Sequence, residues 1–285
     1  MLGIIGGTGL YNIEQIVIKH AHDITTPFGK PSAPIIEGKI SNKTVFFLPR
    51  HGTSHDLLPH EVNYQANIWA LKKLGVTHLV GVSAVGSLQH DIAPGDIALP
   101  EQYFDFVKGN RKKTFFGKGV AAHVSTAEPT CQILADSIEK AGKAAGILVH
   151  RGKTYACVDG PRLGSKAESN FLRGPAACDL VGMTNVPEVF LAREAQLSYC
   201  TIAIATDYDC WQDDPSLHVS VEQVIQRYGA SLEKAKKLLL AFVENDDLIN
   251  SADVCKCRTS LSSALLTPLD SISGNQRIWL DTLLR

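Results

Sequence analysis

The chain has 285 residues, enough for one large α/β domain, and its 45% hydrophobic content suits a sizeable buried core. Lys and Arg total 28 against 29 for Asp and Glu, a net charge of −1, which removes the electrostatic case for a nucleic-acid or membrane-surface partner. No apolar run approaches the ~20 residues of a membrane-spanning helix, and MLGIIGGTGL lacks the basic region and cleavage site of a signal peptide, so a cytoplasmic location is expected.

Apolar runs rich in β-branched residues alternate with helical patterns, which predicts an α/β fold, a single domain with a central mixed β-sheet flanked by helices. Residues 2–5 read as a buried strand ending in Gly6-Gly7-Thr8-Gly9, and 44–48 as a second running into Pro49-Arg50-His51-Gly52. Asn63 caps a helix with Ile68, Leu71 and Leu74 on one face, closed by Gly75. Residues 78–82 return as a strand into Ser83-Ala84-Val85-Gly86-Ser87. Residues 101–117 read as an irregular loop, and the basic run at 108–113 as its solvated part. Helical spacing follows at 133–145, then strands at 155–158 and 180–183 and a helix opened by Pro187 and reaching 196. A central strand at 199–205 leads into Thr206-Asp207-Tyr208-Asp209, and an amphipathic helix spans about 221–244. Residues 250–285 are assigned to a carboxyl-terminal extension packed on the domain.

Seven cysteines at scattered spacing read as free thiols. Cys255-Lys256-Cys257 is tighter, but one intervening residue is too short for the usual paired zinc-ligand spacing, and no metal is expected. A strained disulfide, pairing with other cysteines, and two free thiols stay open, the last being the default of a reducing compartment.

Polar segments directly follow several strands, and in open α/β sheets such strand ends converge on the ligand crevice. Gly7-Thr8-Gly9 offers backbone N–H groups and a hydroxyl, Arg50-His51 a guanidinium fork and an imidazole, and Ser83-Ala84 a further hydroxyl and amide. Together they suit a phosphate. GGTG alone lacks both the dinucleotide spacing and the Lys-Ser/Thr ending of a P-loop, and no acidic ribose reader follows it. Asp207 and Asp209 alternate along an extended segment, which predicts both carboxylates on one side. One protonated and one ionised carboxyl match the N7 acceptor and N6 donor of a 6-aminopurine. A helix-capping pair and a metal site are the bland alternatives for an isolated Asp-x-Asp.

The segments IIGGTGL (4–10), LPRHG (48–52), VNYQANIWALK (62–72), SAVGSL (83–88), PGD (94–96), AEP (127–129), GPR (160–162), AES (167–169), GMTNVPE (182–188) and ATDYDCW (205–211) give the chain a further resemblance. Over nearly its whole length it resembles the trimeric purine nucleoside phosphorylase and 5′-methylthioadenosine phosphorylase family. The resemblance implies phosphorolysis of an adenine nucleoside, 5′-methylthioadenosine first, by a homotrimer or a dimer of trimers. Inorganic phosphate is then a co-substrate and no cofactor is needed. It implies phosphate at Thr8, Arg50, His51, Ser83, Ala84 and Thr184, and the base at Asp207 and Asp209, the catalytic pair. Met183 is implied against the ribose, Leu163, Val181 and Gly182 around the nucleoside, and Val221, Val224 and Ile225 at the 5′ substituent. His123 is implied to reach a neighbouring subunit's site.

The family's 6-oxopurine branch carries Asn where this chain has Asp207 and Asp209, so the resemblance is to the adenine branch. Leu163 stands where relatives often have an aromatic residue, Gly182 where some have Asn, and Gly174-Pro175-Ala176 resembles an insertion. A phosphorylase of adenosine, inosine or methylthioinosine, a hydrolase, and a catalytically silent nucleoside-binding protein are the competing expectations.

Overall fold

The computed structural model describes residues 1–7, 10, 16–212, 221–245 and 255–285, with the backbone alone for 221–228 and 230. Strands β1 (Leu2–Gly6), β4 (Lys43–Pro49), β5 (His78–Ser87) and β9 (Ser198–Asp207) run parallel, with β1 between β4 and β5 and β9 on the far side of β5. They are buried on both faces, which is why they read as nearly continuous apolar runs. Alternate residues serve two cores: Ile5, Leu48, Leu79 and Ala203 face one, while Ile4, Phe47, Val80 and Ile202 face the other.

Antiparallel β3 (Ile35–Ile40) and β2 (Val17–His22) extend the sheet beyond β4. From the end of β5 the order continues through β8 (Leu180–Gly182), β7 (Val149–Cys157) and β6 (Ile97–Asp105) to β9. Because β9 pairs with both β6 and β5, these five strands close into a small barrel, and the mixed sheet extends from it. β6 corrects the reading of 101–117 as a loop throughout. Its outer half is largely exposed, and the register shifts at Pro100 hid the strand pattern.

Helices cover both faces. α1 (Tyr64–Lys73) starts where the Asn63 side chain accepts from Ala66 N–H, and Gly75 follows its end at φ +85°. Its Ile68 and Leu71 are fully buried, each contributing about 1.5–3 kcal/mol. α1, α4 (Asn185–Glu194) and α6 (Gly274–Leu283) pack on the Leu79 face. α2 (Gln132–Ala144) and α5 (Val221–Glu244) pack on the Val80 face. α3 (Lys166–Arg173) is opened by a Ser165–Glu168 capping box. The carboxyl-terminal segment lies on the domain through Trp69 Nε1–H to Trp279 O at 3.1 Å and Gln196 Nε2–H to Leu283 O at 3.0 Å. Among the described residues no helix is long and apolar enough to cross a membrane.

Candidate active site

β1 and β4 end side by side, and the Arg50 N–H closes the turn by donating to Gly6 O at 2.9 Å. The guanidinium is 2% exposed. Its Nε–H and an Nη2–H meet the two Glu188 carboxylate oxygens at 2.7 and 2.8 Å, Nη1 donates to Val82 O at 2.9 Å, and Nη2 to Ile5 O at 3.3 Å. Burial opposes the charge, but the Glu188 carboxylate more than offsets it and holds Arg50 above its ordinary pKa. The fork expected to face phosphate is therefore engaged by Glu188, which leaves one Nη1–H without a described partner. Glu188 also accepts from the Tyr199 hydroxyl at 2.9 Å. Gly81 makes this approach feasible, since a Cβ there would fall 2.4 Å from Tyr199 Oη and 2.8 Å from Glu188 Oε1.

β8 runs antiparallel to the end of β5, so the chain leaving β8 doubles back along it. This brings the Thr184 hydroxyl 3.2 Å from the Ser83 hydroxyl, which lies 3.4 Å from Tyr155 Oη and donates to Ala84 O at 3.3 Å. Thr184 occupies the N-cap of α4 without a side-chain capping bond, and Val186 keeps an extended backbone, so the regular helix starts at Pro187 as expected. His51 Nδ1 lies 2.9 Å from Leu57 O, which fixes the proton on Nδ1 and leaves Nε2 an acceptor. Burial, then neighbouring Arg50, lowers the His51 pKa to about 4, so the ring is neutral near pH 7.

The two carboxylates sit at the other end of this β5 segment. Gly86 pairs with Asp207 across a β-bulge, and a Cβ on Gly86 would lie 3.1 Å from Asp207 Oδ1, Asp209 Cβ and Val181 Cγ1 alike. Both acids are buried, at 4% and 6% exposure. Strand alternation does not bring them together, which corrects that expectation. β9 ends at Asp207, whose Oδ1 accepts from Asp209 N–H at 2.7 Å, and Asp209 turns away at φ +53°. Asp207 Oδ2 also accepts from the Thr206 hydroxyl at 2.7 Å. Burial raises the Asp209 carboxyl above the usual range. Ser83 and Gly86 are three residues apart, so about 10 Å of β5 separates the hydroxyl and guanidinium group from the acids.

Met183 lies on the chain between the two groups. Its sulfur packs on Gly160, where a Cβ would come within 2.4 Å and φ is +65°. The same segment continues through Leu163, which is 40% exposed, to Gly164, whose carbonyl accepts from Cys210 Sγ at 3.3 Å beside Asp209. At Gly182 a Cβ would fall 2.0 Å from Tyr155 Oη, so the fully buried Tyr155 fills the space an Asn side chain would need.

Arg111 and Tyr155 were missed from sequence. Arg111 corrects the reading of 108–113 as wholly solvated, for it is 7% exposed. Its Nη1 donates to Met183 O at 2.7 Å and Val186 O at 2.8 Å, and Nη2 to Asp159 O at 2.8 Å. It therefore clamps both sides of the Thr184 turn and the Gly160 segment together, with no carboxylate partner among the described residues. Only the apolar neighbours Phe115 and Phe116 hinted that its loop packs inward. His123 is exposed, and its N–H donates to Ala264 O at 2.9 Å, next to the Ala122–Leu265 bridge. Thr8 lies outside the described residues, as do the side chains of Val221, Val224 and Ile225.

Residues 1–244 match the family model of the phosphorylase superfamily. The chain belongs to the phosphorylase superfamily. Within that superfamily, an S-methyl-5′-thioadenosine phosphorylase from Geobacter sulfurreducens is 42% identical over 284 residues, covering 100% of this chain and 98% of its own. One of the same name from Hyperthermus butylicus is 46% identical over 265 residues, covering 93% and 95%. Among solved structures, a methylthioadenosine phosphorylase from an antarctic soil metagenomic library matches with a TM-score of 0.93 at 42% identity, covering 100% of this chain and 98% of that one. The Schistosoma mansoni methylthioadenosine phosphorylase in complex with adenine matches at 0.85 and 34%, covering 93% and 98%.

Proposed function

We propose that this phosphorylase cleaves 5′-methylthioadenosine with inorganic phosphate, releasing adenine and 5-methylthioribose 1-phosphate. One observation carries the reading: Ser83, Thr184 and Arg50 at one end of a β5 segment, Asp207 and Asp209 at the other, with Met183 between them. The span of about 10 Å suits a sugar–base bond lying between an anion and a proton source. The names of the relatives support the same substrate.

In this mechanism a phosphate oxygen bonds to C1′ as the bond from C1′ to the purine nitrogen breaks. The bonding pair passes to the base, and the Asp207–Asp209 pair, holding one proton between them, supplies it at N7 while the charged member accepts from N6. Phosphate is held by the Ser83 and Thr184 hydroxyls, the amide at Ala84, Thr8 and the remaining Arg50 N–H. Neutral His51 accepts from the hydroxyl of hydrogen phosphate. Because Glu188 neutralises Arg50, Arg111 contributes positive charge while it positions Met183 and Thr184. Leu163, Val181 and Gly182 border the base, and Val221, Val224 and Ile225 the methylthio group. The reaction uses no metal or organic cofactor. We extend the proposal to a cytoplasmic homotrimer or dimer of trimers, in which His123 serves a neighbouring site.

Asp207→Asn keeps the shape of the side chain but has no acid proton. It is expected to lower kcat for methylthioadenosine by about 10²–10⁴-fold. Wild-type turnover in that variant would remove the acid role. Parallel kcat/KM values for methylthioadenosine, adenosine and inosine test the substrate, with methylthioadenosine expected highest.

A further inference from the structure

Three sulfurs meet where α2 joins the carboxyl-terminal segment. Cys131 Sγ lies 3.0 Å from Cys255 Sγ, which lies 2.7 Å from Cys257 Sγ, and all three fall within 4.8 Å of one another. Cys131 is the N-cap of α2 and its sulfur accepts from Leu134 N–H at 3.5 Å. Cys255 caps the short 3-10 turn Lys256–Thr259 and accepts from Cys257 N–H at 3.3 Å. We propose that Cys131, Cys255 and Cys257 form a site for a thiophilic d10 cation, Zn²⁺ or Cu⁺, that fastens the carboxyl-terminal segment to α2.

Cys-x-Cys alone is a poor ligand pair. The third donor arrives from 124 residues earlier in the chain, a juxtaposition that the spacing does not reveal. Soft thiolates select zinc and cuprous copper over harder cations. Backbone N–H groups directed at sulfur favour negative charge there, as the outer partners of metal thiolates do. A disulfide engages two sulfurs and leaves the third pressed against the bond, whereas a cation engages all three. Cys131 and Cys257 are 1% and 4% exposed, while Cys255 is only half-buried, which gives the ion a way in. Metal–sulfur bonds of about 2.3 Å in a three-coordinate arrangement place sulfurs roughly 4 Å apart, so the cluster must open by about 1 Å, within reach of χ1 rotation. Three thiols lose their protons to solvent as the ion enters and complete a trigonal thiolate set around it. The Cys131 N–H donates to Tyr199 O near the start of β9, eight residues and roughly 25 Å from Asp207 at its end. Occupancy therefore stabilises the fold without taking part in phosphorolysis.

The test is titration of the fully reduced, metal-free protein with Cd²⁺, read by the ultraviolet charge-transfer band of cadmium thiolates. One Cd²⁺ per chain is expected, and Cd²⁺ should displace Zn²⁺ from zinc-loaded protein. Binding should weaken more than about tenfold in Cys131→Ser and Cys257→Ser but not in Cys178→Ser, and the thermal midpoint should rise with metal in the wild type only. Phosphorolysis rates identify variants that fold. For the wild type itself, a cadmium-113 resonance reporting three sulfur ligands is expected. No band, equal binding by the Ser variants, or a resonance with fewer sulfurs overturns the proposal. So does a protein isolated without reductant whose mass is lower by two hydrogens and maps to a disulfide among these three cysteines.

Discussion

Arg50 and Glu188 form a buried ion pair that neutralises most of the guanidinium charge and leaves a single Nη1–H without a described partner. The pair is almost fully buried, with Tyr199 holding one carboxylate oxygen. Glu188→Gln would leave the guanidinium facing a neutral amide, and urea denaturation should show a loss of about 3–5 kcal/mol. A loss under 1 kcal/mol would mean that the pair is solvated in practice. Gly182 makes a second residue-scale claim. Gly182→Asn must displace the Tyr155 ring and should cost about 1–3 kcal/mol by the same measurement, with the Ser83–Thr184 contact disturbed as well. Unchanged stability and activity would show that Tyr155 has room to move. Ser83 and the acids were legible from sequence because they stand where apolar runs give way to polar residues, near the ends of β5 and β9, whereas Thr184 was singled out only through the family resemblance. Glu188, Tyr155 and Arg111 were not, because their importance lies in partners that only the folded chain brings near. The Asp207–Asp209 pair was found by a wrong route: an Asx-type turn, not strand alternation, brings the acids to Gly86.

At the scale of elements, the loop after β6 is held to α4 by Glu194, whose carboxylate accepts from the Thr114 hydroxyl at 2.6 Å and Phe115 N–H at 2.7 Å. Burial raises its pKa from 4.5 to about 7 despite those two bonds. A raised carboxyl gives stability that is complete below its unfolded value and is lost as pH climbs through the folded one. Folding free energy should therefore fall by on the order of 3 kcal/mol between about pH 4.5 and 7 on account of this group. Glu194→Gln should flatten that part of the pH profile. A variant profile parallel to the wild type would contradict the assignment. The same loop carries Arg111, so its anchoring bears on the Thr184 turn. Arg111→Met is expected to raise the phosphate KM more than the nucleoside KM, with partial recovery in Arg111→Lys; equal changes in both would reduce its role to packing. The doubly buried strands were legible as apolar runs. β2 was not, because its residues are mostly exposed and Val17, Ile18 and Ala21 are interrupted by Lys19 and His20. α6 was hidden in a Ser-rich tail, although Ser273 and Gln276 form a capping box that marks its start.

For the whole molecule, parallel β1, β4, β5 and β9 direct their carboxyl ends to one side, and β8 doubles back along β5. The topology thus gathers the Arg50, Ser83 and Thr184 side chains at one end of a β5 segment and the acid pair beside its other end, a relation that no single motif encodes. The exposed His123 lies beside the Ala122–Leu265 bridge, where the carboxyl-terminal segment meets the domain. The central claim is that phosphate, and not water, captures the sugar. The most direct test is the initial rate of adenine release from methylthioadenosine as phosphate is reduced to zero, with the sugar product identified. The account predicts a rate that extrapolates to zero and one 5-methylthioribose 1-phosphate per adenine. A finite rate without phosphate, yielding free 5-methylthioribose, would contradict it.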